Sequence, residues 1–89
     1  MSIDRIKTHL DSGRLSVTVM DDGSGVVLDG EREALFNMNA TGLFIIDQIR
    51  RGSDSIDAVA DALATTFQIK PSTARSDATR FIRDLSATL

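Results

Sequence analysis

Between Met38 and Asn39 the hydrophobic period of this chain changes from two to between three and four. From Leu15 to Met38, apolar residues tend to fall at every second position. Downstream they recur every third or fourth. A strand turns successive side chains to opposite faces, whereas a helix brings every third or fourth residue to one side. One switch of this kind predicts a run of strands followed by a run of helices, which is an α+β order. Strands are expected at about 14–20, 25–29 and 33–38. In the first, Leu15, Val17 and Val19 alternate with Ser16, Thr18 and Met20. In the third, Phe36 and Met38 share one face and Leu35 takes the other. Asp21-Asp22-Gly23-Ser24-Gly25 breaks the chain between the first two, and Asp29-Gly30 is a hairpin-type signal between the second and third. Connections this short favour an antiparallel meander.

Helices are expected at about 41–51, 56–67 and 73–88. Asn39 or Thr41 can cap the first, which is apolar on almost every side over Leu43–Ile46 and so belongs in the middle of a fold. Arg50 and Arg51 suit its C-terminal end, and Gly52 stops it. Ser55 supplies the next cap, ahead of a stripe of Ile56, Val59, Ala60, Leu63 and Phe67. Pro71 breaks the chain again, and Ser72 is expected to cap the last helix. That helix has Ala74, Ala78, Phe81, Ile82, Leu85 and Leu89 on one side and Arg75, Arg80 and Arg83 on the other. Residues 1–13 carry Ile3, Ile6 and Leu10 at helical spacing. An isolated helix of this length is marginal, so the segment reads as a short docked helix or a frayed tail.

With 89 residues, the chain has the length of one small domain. It has no cysteine, so neither a disulfide nor a thiolate metal site supports the core. His9 is its sole histidine, which argues against histidine-based metal sites and Ser–His catalysis. The reading is a non-enzyme without cofactor or metal. Thirteen acidic against ten basic residues give a net charge of −3, an unfavourable balance for nucleic acid. Four Phe, with no Trp or Tyr, offer little for base stacking. The longest apolar run, Leu43–Ile46, is too short for a membrane span, and the opening segment lacks the apolar stretch of a signal peptide. A cytoplasmic protein is expected.

Several local patterns resemble chemistry that the rest of the chain does not support. Asp21, Asp22, Asp29, Glu31 and Glu33 cluster near turns, but without EF-hand spacing, and are expected to be solvated turn carboxylates. Gly23-Ser24-Gly25 lacks the Lys-Ser/Thr of a phosphate loop and reads as a hairpin turn. Asn39-Ala40-Thr41 matches a glycosylation sequon and reads better as a helix cap. Arg75, Arg80 and Arg83 are compatible with a DNA-reading helix, a solvated face diluted by Asp77 and Asp84, or a contact with an acidic peptide.

The order of the remaining motifs carries more. Gly25-Val-Val-Leu-Asp-Gly and Leu35-Phe-Asn-Met-Asn-Ala-Thr-Gly42 lead into Leu43-Phe-Ile-Ile-Asp-Gln-Ile49. Next comes Arg51-Gly-Ser-Asp-Ser-Ile-Asp57, and then Ser76-Asp77 ahead of Phe81-Ile82 and Leu85. Over residues 14–89 this resembles the PqqD-like family, named for pyrroloquinoline-quinone biosynthesis protein D. Met38 stands where the family usually has Leu, and Ile46 where many members have Trp. The resemblance implies a winged-helix-like domain with a three-stranded antiparallel sheet followed by three helices. It also implies a role as a recognition element and peptide chaperone. Such a domain binds the leader of a ribosomally made precursor peptide and presents it to a modifying enzyme, often of the radical SAM type.

The residues support that role on their own terms. A three-stranded meander has open edges, and an open edge accepts an extended peptide as a further strand. If Ala34, Leu35, Phe36, Asn37 and Met38 form such an edge, the last helix lies beside it. Leu35, Phe36, Ala78, Phe81, Ile82 and Leu85 then wall a groove, and Arg75, Arg80 and Arg83 meet acidic leader side chains. Core packing is the alternative for each apolar member. A DNA-binding winged helix and a small dimerisation module are the other functions compatible with the pattern, and the domain works as a monomer or homodimer.

Overall fold

Leu15, Val27 and Met38 meet on one face of three strands, β1 (Leu15–Val19), β2 (Gly25–Asp29) and β3 (Ala34–Met38), in a computed structural model that describes residues 2–89. The strands form an antiparallel sheet in the order β1-β2-β3, with Val17 opposite Val27 and Val27 opposite Phe36. The period-two pattern thus sends alternate residues of all three strands to one buried side. After the sheet come α2 (Ala40–Arg50), which packs on β3, α3 (Ile56–Phe67), which packs on α2, and α4 (Pro71–Ala87), which packs on α3. This is the α+β order expected of the sequence. Helix α2 is central: Ile45, Ile46 and Ile49 are buried, and the helix packs on α3, on β3 and on the helix that opens the chain.

The first segment is a helix, α1 (Ser2–Asp11), and it is docked. Ile3, Ile6 and Leu10 are buried, and the helix packs on α4 and α2. Tertiary burial, at about 1.5–3 kcal/mol for each fully covered aliphatic side chain, stabilises a helix that would be marginal alone.

Helix ends follow local chemistry. The Asn39 side chain accepts from the Gly42 N–H at 2.9 Å and caps α2, while the Thr41 hydroxyl donates to the same oxygen. The Ser55 hydroxyl accepts from the Ala58 N–H at 3.1 Å and caps α3. The expected cap at Ser72 is not found. Helix α4 begins at Pro71, with Lys70 as the flanking residue and no side-chain cap. Proline has its φ preset for the first helical turn and no N–H there to satisfy, so the break falls before the proline and Ser72 lies inside the first turn.

The β2–β3 connection also differs from expectation. Gly30 does not take the left-handed conformation that a two-residue hairpin turn would require; Glu33 does, at φ 55°. The turn is longer and is organised by Asp29, whose carboxylate accepts from the N–H groups of Glu31 and Arg32 at 3.1 and 3.3 Å. A side chain at positive φ costs roughly 1–2 kcal/mol. Glu33→Gly is therefore expected to raise unfolding stability by up to about 1 kcal/mol, after the entropy of an added glycine is counted. Urea denaturation at unchanged m-value measures it.

Asp29 itself departs furthest from its expected state. It is not a solvated turn carboxylate but fully buried, at 0% exposure. Arg14 donates to both of its oxygens, Nε to Oδ1 at 2.9 Å and Nη2 to Oδ2 at 3.0 Å. The physical reason is register. Asp29 faces the core side opposite Leu15, next in sequence to Arg14, and the guanidinium fork reaches it across the sheet. Glu31 lies 3.4 Å from Arg14 on the solvent side.

Candidate functional site at the β3 margin

Hydrogen-bond parity identifies the free backbone groups. In an antiparallel ladder, opposed residues alternate between pairs that exchange main-chain hydrogen bonds and pairs that do not. The N–H of Met20 donates to the Ser24 carbonyl at 2.8 Å, and that of Gly30 to the Arg14 carbonyl at 2.9 Å. These contacts continue the β1–β2 register, so Val26 and Leu28 bond toward β1. Gly25, Val27 and Asp29 then bond toward β3, to Met38, Phe36 and Ala34. On β3 the main-chain groups of Leu35 and Asn37 point away from the sheet. No other strand lies beyond them among the described residues.

Alongside this edge runs an apolar groove of about 430 Å³, lined by Leu35, Phe36, Asn37, Met38, Phe81, Asp84, Leu85 and Thr88. Phe81 is half-buried and Leu85 buried, and together they form the α4 wall. Phe81 also lines a smaller polar cavity of about 290 Å³ with Asn39, Thr41, Gly42, Ile45, Asp77 and Arg80, so the two depressions meet at its ring.

The structure gathers Leu35, Phe36, Asn37, Met38, Phe81 and Leu85 around one groove. Ala34 starts the same strand but is not among the groove-lining residues. Ala78 and Ile82 are at 0% and 1% exposure and pack into the core instead. Arg75 is away from the groove and pairs with Asp57 on α3. Arg80 reaches the smaller cavity and bonds Asp77 at 3.2 Å, while Arg83 bonds its neighbour Asp84 at 3.3 Å. All three arginines thus have acidic partners on the surface. Asp84, the one charged residue lining the groove, is an acid. The sequence pointed to Asp84 only as an acid diluting the arginine face and did not pick out Thr88, although each lies one helical turn beyond Phe81 or Leu85.

Gly42 sets the position of the Phe81 ring. A Cβ at Gly42 would come within 2.9 Å of Phe81 Cε2 and 3.3 Å of Met38 Sδ. Gly42→Ala is expected to swing the ring toward the groove and, for any ligand seated there, to lower affinity severalfold. The helix-propensity gain of alanine keeps stability within about 1 kcal/mol of the parent. Affinity and thermal unfolding of the same variant measure both effects.

A second depression, of about 330 Å³, lies at the opposite margin, between β1 and the helices. Val17, Val19, Leu43, Phe44 and Phe67 line it, and the last two rings meet edge to face at 5.4 Å. No group of three or more metal-ligating side chains occurs among the described residues, and no described helix is long and apolar enough to cross a membrane.

The family model for coenzyme PQQ synthesis protein D (PqqD) matches residues 24–88. The chain belongs to the PqqD family. The matched region takes in β2, β3 and the three helices after them, and so holds the whole β3–α4 groove; α1 and β1 precede it. Two solved structures share the PqqD-family fold seen here. One is TbiB1 in complex with the TbiA(beta) leader peptide, at a TM-score of 0.73 and 20% identity, covering 84% of this chain and 85% of that one. The other is lasso peptide synthetase B1 complexed with the leader peptide, at a TM-score of 0.71 and 25% identity, covering 84% and 86%. No curated protein matches the chain by sequence.

Proposed function

We propose that this PqqD-family domain is a non-catalytic recognition module of the cytoplasm. It binds the leader of a ribosomally made precursor peptide as a fourth strand on β3 and presents that precursor to a modifying enzyme of the radical SAM type. The observation that carries the reading is the outward-facing main chain of Leu35 and Asn37 beside a groove walled by Phe81 and Leu85. Such an edge gives a peptide main-chain hydrogen bonds for affinity, and the groove gives alternate side chains a pocket for specificity. The leader-bound state of the two similar structures supports the same reading. The groove supplies burial and hydrogen bonds, which suit holding a peptide rather than transforming it.

The test is an amide chemical-shift titration of the labelled chain with the leader of the precursor encoded in its own gene neighbourhood. Shifts are expected at 35–38 and 81–88. Shifts confined to Val17, Val19 and Phe67 would move the site to the opposite margin, and a silent titration would remove the proposal. Duplex DNA binding with a steep salt slope would instead favour a nucleic-acid role. The ion-paired arginines of α4 give no support to it.

A further inference from the structure

The two residues that offer their main chain to a guest strand have unlike side chains, and both point to the outer face of the sheet. Leu35 is 68% exposed and lies opposite Leu28, itself 40% exposed, so the pair forms an apolar strip beside the open edge. Asn37 is exposed, makes no side-chain hydrogen bond among the described residues, and lies opposite half-buried Val26. On the other face, between them, Phe36 points into the groove with Phe81 and Leu85.

A strand added to β3 inherits this arrangement. Its residue opposite Phe36 falls in a pair without main-chain hydrogen bonds and turns inward, onto Phe81. Its residues opposite Leu35 and Asn37 each exchange main-chain hydrogen bonds and turn outward. Antiparallel pairing, as in the rest of this sheet, fixes the order: the guest passes Asn37 first, then Phe36, then Leu35. We infer that the recognised leader segment reads polar–apolar–apolar in chain order, with its middle residue filling the groove and its last residue covering Leu35 and Leu28 on the outer face. This rests on the strand-addition reading and adds to it a second apolar contact outside the groove. The cross-strand apolar pair is the unit that stabilises a sheet face, and Leu35 is the member of one that lacks its partner on the open side.

The probe is a displayed library of random ten-residue linear peptides, selected on the full chain and on its Leu35→Asn and Phe81→Ala variants. Leu35 is at the surface, so its variant is expected to stay folded, its unfolding temperature lowered by a few degrees for the lost pairing with Leu28. Selection on the parent is expected to enrich the polar–apolar–apolar pattern. On Leu35→Asn the last position is expected to relax while the middle stays apolar, and the parent consensus peptide to bind roughly fivefold more weakly, the size of one cross-strand pair. An unchanged last position on Leu35→Asn, or the pattern in reverse order, overturns this inference and leaves strand addition standing. Peptides whose binding ignores Phe81→Ala, or a library without enrichment, overturn strand addition itself.

Discussion

Asn37→Pro is expected to weaken leader binding at least roughly fivefold and to leave the fold standing. The Asn37 N–H points away from the sheet by hydrogen-bond parity, so proline there removes no bond to β2. Proline is tolerated on edge strands for this reason. The peptide, however, loses a donor in the middle of its ladder, and its facing carbonyl is left without a partner. An unmade buried hydrogen bond costs about 1–3 kcal/mol, which corresponds to roughly five- to 150-fold in Kd. Phe36→Pro serves as the control. Phe36 bonds inward to Val27, so the same residue type one position earlier breaks the sheet and lowers the unfolding temperature. Calorimetric titration and thermal unfolding of both variants separate the two effects. Full leader affinity in a folded Asn37→Pro chain would show that the guest does not pair with β3.

The contrast between these neighbours shows where the sequence is informative and where it stops. Alternation in Ala34–Met38 identifies a strand, and short connections place it at the end of a meander. Neither states which residues bond inward, because parity depends on the bonds that close the β1–β2 ladder. The caps Asn39 and Ser55 were legible because each bonds the N–H three residues on, an interaction contained in a short stretch of chain. Asp29 was not, since its partner Arg14 lies fifteen residues back and meets it only once β1 and β2 are in register. On α4 the apolar stripe was plain, but a stripe does not divide itself into groove and core. Phe81 and Leu85 lie toward β3, while Ala78 and Ile82 are buried in the core, on a helix that packs on α3 and α1. The choice between those faces is made by how the helix is seated, which residues outside it decide.

Asp29→Asn is expected to lower the unfolding temperature at neutral pH by at least roughly 10 °C, since breaking a buried ion pair leaves its other member uncompensated. Arg14 is only 12% exposed and would keep Glu31, at 3.4 Å on the solvent side, as its remaining acidic neighbour. The pH dependence gives a sharper signature. The Arg14 hydrogen bonds hold the Asp29 carboxyl down to about 2, assisted by the N–H groups of Arg32 and Glu31 and opposed by desolvation. Unfolded, the same group titrates near about 4. Because the folded value is the lower one, the stabilisation is complete above about pH 4 and disappears as pH falls toward 2. Asp22, lowered by the Ser24 hydroxyl and amide, adds a slope of the same sign. Thermal midpoints measured from pH 7 to pH 2 should therefore fall steeply below pH 4 in the parent. In Asp29→Asn the curve should start lower and run flatter through that window, retaining the Asp22 component. The paired replacement Arg14→Met with Asp29→Leu removes both charges together and is expected to recover much of the midpoint lost at pH 7, since apolar packing can replace a buried ion pair. An Asp29→Asn chain with the parent's midpoint and acid slope would mean that the pair does not hold the β2–β3 turn. Because that turn leads directly into Ala34, leader affinity is expected to weaken in the same variant and to return in the paired replacement.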